Sequence, residues 1–344
     1  MKKRVLILLF TIACVASLVA QAGKDTYQFL NLPTSARTAA FGGSNISVFD
    51  NDLNLAFNNP ALLSAQTNNI LAINYVSYLS DINFGSVAYG RSFGKNSHMM
   101  YGIHYIDYGK FLGTSETDEV LGHFTAKDFA LNIMYAYTLP LGFTVGATFK
   151  PIYSVYERYS SFGVAFDIGA TYHNDSVGFS GGITLRNAGW QFKGYYAIDG
   201  KQHRETLPLN LELGISQKLT HAPIRFSLTL HNLQKWDLSY QKSTSVATDD
   251  GSLNNVKWHD MMFRHTIWSI EILPTKNMYL TVSYNHRRRA EMNVSDWKTA
   301  AGFAFGAGIK IYKFNVGFSL VPYQVGNLSY HVTLSTGLSE FGVK

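Results

Sequence analysis

The densest cluster of ligand-binding groups in this sequence is a run of three arginines, Arg287, Arg288 and Arg289. Guanidinium groups bind phosphates and carboxylates through pairs of parallel hydrogen bonds. The run therefore predicts a site for a phosphate-bearing ligand or for an acidic protein surface. A basic rim without a specific ligand explains the same residues, and the sequence leaves both interpretations open.

A second candidate site lies in residues 234–262, which follow no regular pattern of apolar residues. Its Trp236, Tyr240 and Trp258 are large amphipathic side chains of the kind that dominate the energetics of protein interfaces. Long loops in compact folds are usually functional or disordered. We therefore expect this segment to bind a partner protein, together with residues 189–206 and the arginine run. A surface loop with tryptophans at a membrane boundary is the alternative.

The residue types that perform catalysis show no recognisable spacing. Eleven histidines occur without an HxH or HExxH pattern, so no metal site is predicted. The glycine-rich stretch GAGIK (residues 306–310) lies inside a strand pattern rather than between a strand and a helix, which argues against a phosphate-binding loop. We therefore expect no catalytic residue, no cofactor and no enzymatic activity.

The first 22 residues have the three parts of a secretory signal peptide. Basic residues at positions 2–4 precede an apolar run and two small residues, Ala20 and Ala22, so cleavage is expected after Ala22. Cleavage lowers the formal net charge from +6 to +3, and this balance gives no reason to expect a nucleic-acid partner. The only cysteine, Cys14, lies in the same peptide, so disulfides and thiol chemistry are not expected in the mature chain.

From residue 68 onward, apolar side chains alternate with polar residues or glycine. The segments are about ten residues or longer, which fits a tilted strand that crosses a bilayer better than the strands of globular proteins. Charged residues make up only 15% of the chain and aromatic residues 14%, as a sheet facing an apolar medium requires. Strands are predicted at 68–76, 82–92, 97–108, 127–138, 142–156, 160–172, 177–188, 207–220, 223–233, 263–273, 277–287, 297–310, 313–322 and 328–339.

The connections between these strands alternate between short turns and long loops, as they do in outer-membrane barrels. Only a closed sheet pairs every backbone polar group in lipid, and an even count of fourteen allows closure. The expected fold is therefore all-β, a transmembrane β-barrel of about 14 antiparallel strands (residues 68–344). A change of apolar phase between Phe84 and Val87 predicts a bulge in the second strand.

Polar and aromatic residues within the strands predict two further features. Charged residues share a strand face with glycine, serine or threonine, so we expect them to line the lumen and to pair across strands: Lys150, Asp167, Arg186, Glu212, Arg225, Glu271 and Lys310. Aromatic residues near the outer strand ends predict a girdle at the membrane boundary: Tyr105, Tyr108, Tyr153, Tyr156, Tyr284 and Trp297.

Residues 23–67 differ from the strands that follow them. They carry glycine, asparagine and proline, which favour irregular backbone, together with scattered apolar side chains. A plug folded into the barrel lumen explains the apolar residues better than a disordered leader. The candidate plug residues are Gly42, Gly43, Asn59, Pro60 and Ala61.

The stretch LPTSARTAAFGGSNISVFDNDLNLAFNNPALLS (residues 32–64) carries a resemblance to known families. Its Gly-Gly pair followed by Asn-Pro-Ala resembles the N-terminal hatch of the FadL-like barrel superfamily, whose members also have fourteen strands. The full stretch resembles the PorQ family, in the PorV/PorQ group of type IX secretion outer-membrane proteins. The layout of the predicted strands extends this resemblance over nearly the whole chain.

The resemblance implies a non-catalytic component of a cell-surface attachment complex in the outer membrane of a Gram-negative bacterium. The implied partners are a PorZ-like surface protein, which the barrel would anchor, with a PorU-like sortase and a PorV-like shuttle in the same complex. Outer-membrane lipids and lipopolysaccharide are expected around the barrel. A FadL-like channel for hydrophobic small molecules is the alternative, and it requires an apolar pocket and a lateral gap in the wall.

Overall fold

The computed structural model describes residues 25–115, 117, 119–198, 200–238, 257–292, 300–324 and 327–342. Within these ranges, fourteen antiparallel strands form one closed barrel, which confirms the predicted fold class and strand count. The barrel closes through pairing of its first and last strands, from Ile70 opposite Gly337 to Ser77 opposite Tyr330. Each predicted strand corresponds to one observed strand, although the bounds differ by several residues in places.

The strands follow one another around the barrel in chain order, apart from two that lie outside it. They are β1 (Ile70–Ser77), β2 (Asn83–Phe93), β3 (Ser97–Thr114), β4 (Val120–Thr138), β5 (Phe143–Tyr156), β6 (Tyr159–Asn174), β7 (Phe179–Lys193), β8 (Ala197–Ile198), β9 (Lys201–Gln202), β10 (Asn210–Lys218), β11 (Ile224–Leu230), β12 (Thr266–Thr275), β13 (Met278–Asn285), β14 (Phe303–Ile311), β15 (Phe314–Gln324) and β16 (Asn327–Gly337). Strands β8 and β9 pair only with each other, in the connection between β7 and β10.

The helices are short, and they occur in the segments that precede or connect the barrel strands. They are α1 (Ala36–Ala40), α2 (Trp258–Arg264) and α3 (His286–Met292), with single 3-10 turns at Gln28–Asn31, Leu53–Phe57, Pro60–Leu62, Ala65–Thr67, Pro140–Gly142 and Leu338–Phe341. In the described part of the chain, no helix is long and apolar enough to cross a membrane.

The barrel has two distinct ends. We call the end that carries the tight turns, such as the one between β2 and β3, the short-turn end, and the opposite end the long-loop end. Two of the segments predicted as long loops are partly strand. Residues 109–127 form a β3–β4 hairpin whose connection is only 115–119, and β7 continues to Lys193 within the predicted loop 189–206.

The predicted bulge in the second strand is wrong. Strand β2 pairs with β1 and with β3 without any register shift. Phe84 is buried on the lumen face and Val87 is exposed on the outer face, as a regular strand requires for residues three positions apart. The apolar residues of β2 fall on both faces because Phe84 is an apolar side chain inside the lumen, and the backbone of the strand is regular.

The predicted aromatic girdle is also wrong in part. Tyr105 and Tyr153 face outward, but Tyr108 and Tyr156 turn into the barrel, where their hydroxyls donate to the buried Asp128. Residues three apart along a strand point to opposite faces. Because Tyr105 and Tyr153 face the lipid, Tyr108 and Tyr156 on the same strands must face the lumen. Tyr284 packs against the outward Phe303, and Trp297 lies outside the described residues.

Candidate functional site

Residues 25–69, which we call the N-terminal segment, lie inside the barrel and extend from one end to the other. At the long-loop end, Thr26 N donates to Thr206 O at 2.9 Å. At the short-turn end, Asn69 N donates to Gly90 O at 2.8 Å, and Leu338 N donates to Asn69 O at 2.7 Å. Most side chains between these points are buried. The N-terminal segment therefore fills much of the lumen along its whole height.

Gly42 and Gly43 end helix α1 in a conformation that suits glycine. Both have positive φ, 85° and 110°, and their N–H groups donate to the carbonyls of Ala39 and Thr38 at 3.0 and 3.1 Å. This is the Schellman arrangement, which satisfies the last carbonyls of a helix. It also turns the Gly42 carbonyl toward the wall of the barrel.

Asn59, Pro60 and Ala61 form a tight turn against a part of the wall that has no side chains. Asn59 is fully buried; its Oδ1 accepts from Ala61 N at 3.0 Å, and its Nδ2 donates to Ile46 O at 2.9 Å and to Thr171 Oγ1 at 3.0 Å. A Cβ on Gly146 would lie 2.6 Å from the Pro60 carbonyl carbon, and one on Gly169 only 2.0 Å from Asn59 Oδ1. Glycine at these inward positions is therefore required for the turn to fit.

The N-terminal segment is also fixed by a buried arginine that the sequence analysis did not single out. Arg37 on α1 contacts Asp50 at 2.7 Å and Asp52 at 3.3 Å within the segment, and Glu271 on β12 at 3.0 Å. Arg225 on β11 contacts both Asp50 and Glu271, at 3.1 and 2.9 Å. The cluster therefore joins the segment to two adjacent strands by charge-assisted hydrogen bonds, which are among the stronger polar contacts in proteins.

The charged residues predicted in the lumen are largely found there in pairs. Lys150 contacts Asp167 at 2.5 Å, and Arg186 contacts Glu212 at 3.4 Å. Glu212 also accepts from Ser44 Oγ of the N-terminal segment at 2.7 Å. The predicted Arg225 and Glu271 pair is part of the Arg37 cluster. The remaining predicted residue, Lys310, instead contacts Glu340 at 2.8 Å near the short-turn end.

An apolar cluster occupies the half of the lumen nearest the long-loop end. Phe29 and Leu30 of the N-terminal segment pack there against buried apolar residues from strands β1 to β6 and from the β7–β10 connection: Val76, Phe84, Ile106, Ala130, Ile152, Ala165 and Leu207. The segment thus supplies the central side chains of an apolar chamber.

The structure divides the three arginines between different environments. They lie on α3 and not in an open loop. Arg287 contacts Glu291 at 2.6 Å, whereas Arg288 points inward: its Nη2 donates to Gly42 O at 3.0 Å and its guanidinium lies 4.7 Å from the centre of the Tyr323 ring. Arg288 therefore contacts the Gly-Gly cap of α1, whereas the role of the three arginines in binding phosphates or an acidic partner stays a prediction.

The predicted tryptophans come together at the long-loop end. Trp236 and Trp258 have ring centroids 6.5 Å apart and are 54% and 67% exposed. Trp236 stacks on His265 at 5.4 Å, and His265 Nδ1 bonds the His231 carbonyl at 2.8 Å. Tyr240, with residues 239–256 of the predicted loop, lies outside the described residues.

Helix α2, which carries Trp258, is joined to α3 by a carboxylate. Asp260 contacts Arg264 at 2.9 Å and His286 at 2.8 Å. Burial alone would raise the pKa of Asp260, but the hydrogen bonds from His286 and Arg264 hold it below its ordinary value. The contact therefore favours the ionised carboxylate near neutral pH, and it helps to position the exposed tryptophan.

Among the residues that the structure describes, no group of three or more histidine, cysteine, aspartate or glutamate side chains is placed to hold a metal ion. No protein-family model matches the chain, and a search of curated proteins finds no significant match.

Solved structures do share the fold. The crystal structure of the Pseudomonas putida toluene transporter TodX matches with a TM-score of 0.51 and 12% sequence identity, over 88% of this chain and 96% of that chain. A deltaS2 mutant of TodX, described as a monoaromatic hydrocarbon channel, gives a TM-score of 0.54 at 12% identity, over 89% and 97% of the two chains. The deltaS2S3 mutant gives 0.54 at 12% identity, over 88% and 98%. These likenesses show that the chain shares the β-barrel fold of TodX.

Proposed function

We propose that this chain is a non-catalytic outer-membrane barrel that anchors a protein at the cell surface, as the resemblance to the PorV/PorQ group implies. The observation that carries the proposal is the pair of adjacent, exposed tryptophans, Trp236 and Trp258, at the long-loop end. Tryptophan is among the residues most enriched at the energetic centres of protein interfaces, and an exposed apolar pair costs solubility unless something covers it.

The fixed geometry of this pair supports the proposal. Trp236 is stacked on His265, and Trp258 lies on α2, which Asp260 joins to α3. Side chains that are already ordered lose less entropy when a partner binds. A membrane-boundary role for the tryptophans would not need this order, because interfacial tryptophans act through their position alone.

The filled lumen supports an anchoring role as well. The N-terminal segment is held by the buried Arg37 cluster and by the Asn59–Ala61 turn, and β1, β2 and β3 pair in regular register. The bulge that would have favoured a lateral exit in β2 is absent from these strands. An anchor needs no passage through the barrel, so these features are compatible with it.

In this proposal the surface partner is PorZ-like, and it assembles beside a PorU-like sortase and a PorV-like shuttle. Arg287, on the same end of the barrel, contacts Glu291 and donates to Asn232 Oδ1 at 3.1 Å, and in this proposal it exchanges these contacts for phosphates of lipopolysaccharide or acidic groups of the partner. Its contact with Glu291 is partly exposed, and exposed ion pairs of this kind exchange partners at little cost.

A channel for hydrophobic small molecules is the second candidate, and the comparisons favour it over the anchor. The solved structures reported above are a toluene transporter and monoaromatic hydrocarbon channels, and none of these names concerns secretion. The apolar cluster around Phe29 also supports a channel, because displacement of the N-terminal segment would leave an apolar chamber near the long-loop end. In that case the segment would act as the gate.

Tryptophan variants test the anchor. Replacing Trp236 and Trp258 by alanine should release the surface partner into the medium while the barrel still folds, as judged by heat-modifiable migration of the outer-membrane fraction on gels. Phe93→Ala is the matched control, because Phe93 is an aromatic residue with 56% exposure but lies at the short-turn end of β2, at the opposite end of the barrel. Retention of every surface protein in the double variant would contradict the anchoring role.

Transport measurements test the channel. Intact cells that carry the barrel should take up toluene faster than cells that lack it, because the lipopolysaccharide layer slows the entry of apolar solutes, and Phe29→Ala should change the rate. The two functions then give opposite patterns. A channel changes uptake of hydrophobic solutes without loss of a surface protein, and an anchor loses its partner without a change in uptake.

A further inference from the structure

One buried carboxylate in the lumen has no basic partner. Four carboxylates are buried in the described part of the chain: Asp128, Asp167, Glu212 and Glu271. The last three each contact a lysine or arginine, but no ion pair involves Asp128. A buried charge without a counter-ion is strongly unfavourable. Unlike the other three carboxylates, Asp128 must therefore be stabilised by groups that carry no positive charge.

Hydroxyl groups surround this carboxylate. Tyr108 and Tyr156 donate to Asp128 Oδ2 at 2.7 and 2.9 Å, and Ser154 Oγ donates to Oδ1. Tyr195 lies 2.7 Å from Ser154 Oγ. Because Ser154 gives its only hydrogen to Asp128, Tyr195 must donate to Ser154.

The direction of these hydrogen bonds determines what the cluster presents to a ligand. Three of the hydroxyl hydrogens point to the carboxylate and the fourth, from Tyr195, points to Ser154 Oγ. The hydroxyl oxygens therefore direct only lone pairs away from the cluster. The rings add their negative π faces: Tyr156 lies 5.8 Å from Tyr108 and 5.0 Å from Tyr195 between ring centroids. The cluster therefore offers a carboxylate, hydroxyl acceptors and aromatic faces, and these four hydroxyl groups have no hydrogen left to donate.

The cluster is near the mouth of the barrel. Asp128 on β4 is opposite Ser154, and Ser154 is only two residues before Tyr156, the last residue of β5 at the long-loop end. Tyr108, Tyr156 and Tyr195 are half-buried, so part of each side chain remains accessible from that end. Tyr27 of the N-terminal segment lies beside the cluster, with its ring centroid 6.5 Å from that of Tyr195.

We propose that Asp128 with Tyr108, Tyr156 and Tyr195 forms a binding site for an organic ammonium group. Ammonium supplies the donors and the positive charge that the cluster lacks, and aromatic side chains around a cation add a favourable electrostatic contact. A free small amine and a lysine side chain carry the same ammonium group, and the experiment below distinguishes these two sources. The site does not depend on either proposed function of the barrel.

Titration calorimetry on the full mature barrel in detergent tests this proposal, with n-butylammonium chloride as the probe and 1-butanol and sodium chloride as matched controls. The parent protein should bind n-butylammonium and neither control. Asp128→Asn should weaken binding about tenfold or more, because it removes a charge-assisted contact. Tyr156→Phe keeps the ring and removes one hydroxyl, so it should have a smaller effect.

The outcomes separate the site from a purely structural role. No binding of n-butylammonium to the parent, or equal binding to parent and Asp128→Asn, would overturn the proposal. If Asp128→Asn does not fold, Tyr156→Leu removes the aromatic face instead, and unchanged affinity in that variant would equally overturn it. A second probe, Nα-acetyl-lysine amide, distinguishes the sources: binding of both probes assigns the site to a lysine side chain, and binding of n-butylammonium alone assigns it to a free amine.

Discussion

Replacing Arg37 by alanine should loosen the N-terminal segment inside the barrel. Arg37 lies 2.7 Å from Asp50 and 3.0 Å from Glu271. At an effective dielectric constant of about 20, a contact at this distance amounts to roughly 6 kcal/mol before desolvation. Desolvation offsets much of that, and loss of one partner from a buried pair typically costs about 3–5 kcal/mol. The population of the released segment should therefore rise by about two to four orders of magnitude.

Hydrogen exchange measured by mass spectrometry follows this release directly. Peptides from residues 36–57 should exchange faster in Arg37→Ala than in the parent, while the strand peptides stay protected. Arg37→Lys should be intermediate, because one ammonium keeps the charge but not the five hydrogen bonds of the guanidinium. Arg158→Ala is the control, since Arg158 is exposed at the β5–β6 turn. Unchanged exchange in Arg37→Ala would refute the view that this cluster fixes the segment.

Three further outcomes follow from the described contacts. Gly169→Ala would place a Cβ 2.0 Å from the turn of the N-terminal segment and should lower thermal stability by about 1–3 kcal/mol, whereas Gly181→Ala, with no atom closer than 3.6 Å, should be neutral in the same unfolding assay. Phe29→Ala should cost about 3–5 kcal/mol through a lumen cavity, and added toluene should recover part of this loss. Because the pKa of Asp260 is lowered, its contribution to the order of α2 is present above pH 3.8 and is lost as the pH falls through the lower folded value. Trp258 fluorescence should report that loss, and a signal that stays constant through this acidic range would contradict it.

The sequence predicts the barrel well because its main signal is local. Period-two alternation requires only neighbouring residues, and it locates all fourteen strands. It also places Lys150 and Asp167 in the lumen, because residues on the same strand face share one environment. Pairing of the first strand with the last is also predicted, because an even number of strands allows closure and every backbone polar group in lipid needs a hydrogen-bond partner.

The parts that the sequence did not predict depend on contacts between distant residues. Arg37 stands in a stretch of small and polar residues, and its partner Glu271 is 234 positions away, so no local pattern marks it as a central residue. Tyr108 and Tyr156 were assigned to the girdle from their closeness to the strand ends. Strict use of the strand period, with Tyr105 and Tyr153 outward, would have placed both of them in the lumen.

The closing pair of strands also constrains the order in which this protein can assemble. The N-terminal segment leads directly into β1, and β1 pairs with the last strand, β16, so the ring is completed only after the whole chain has been delivered. A segment that entered a finished ring would have to pass its Arg37 through a channel lined by other charged side chains. Entry before closure avoids that barrier. Formation of the β1–β16 seam is then the step that traps the segment, and a chain whose segment is delayed should accumulate as an open sheet with two unpaired edges.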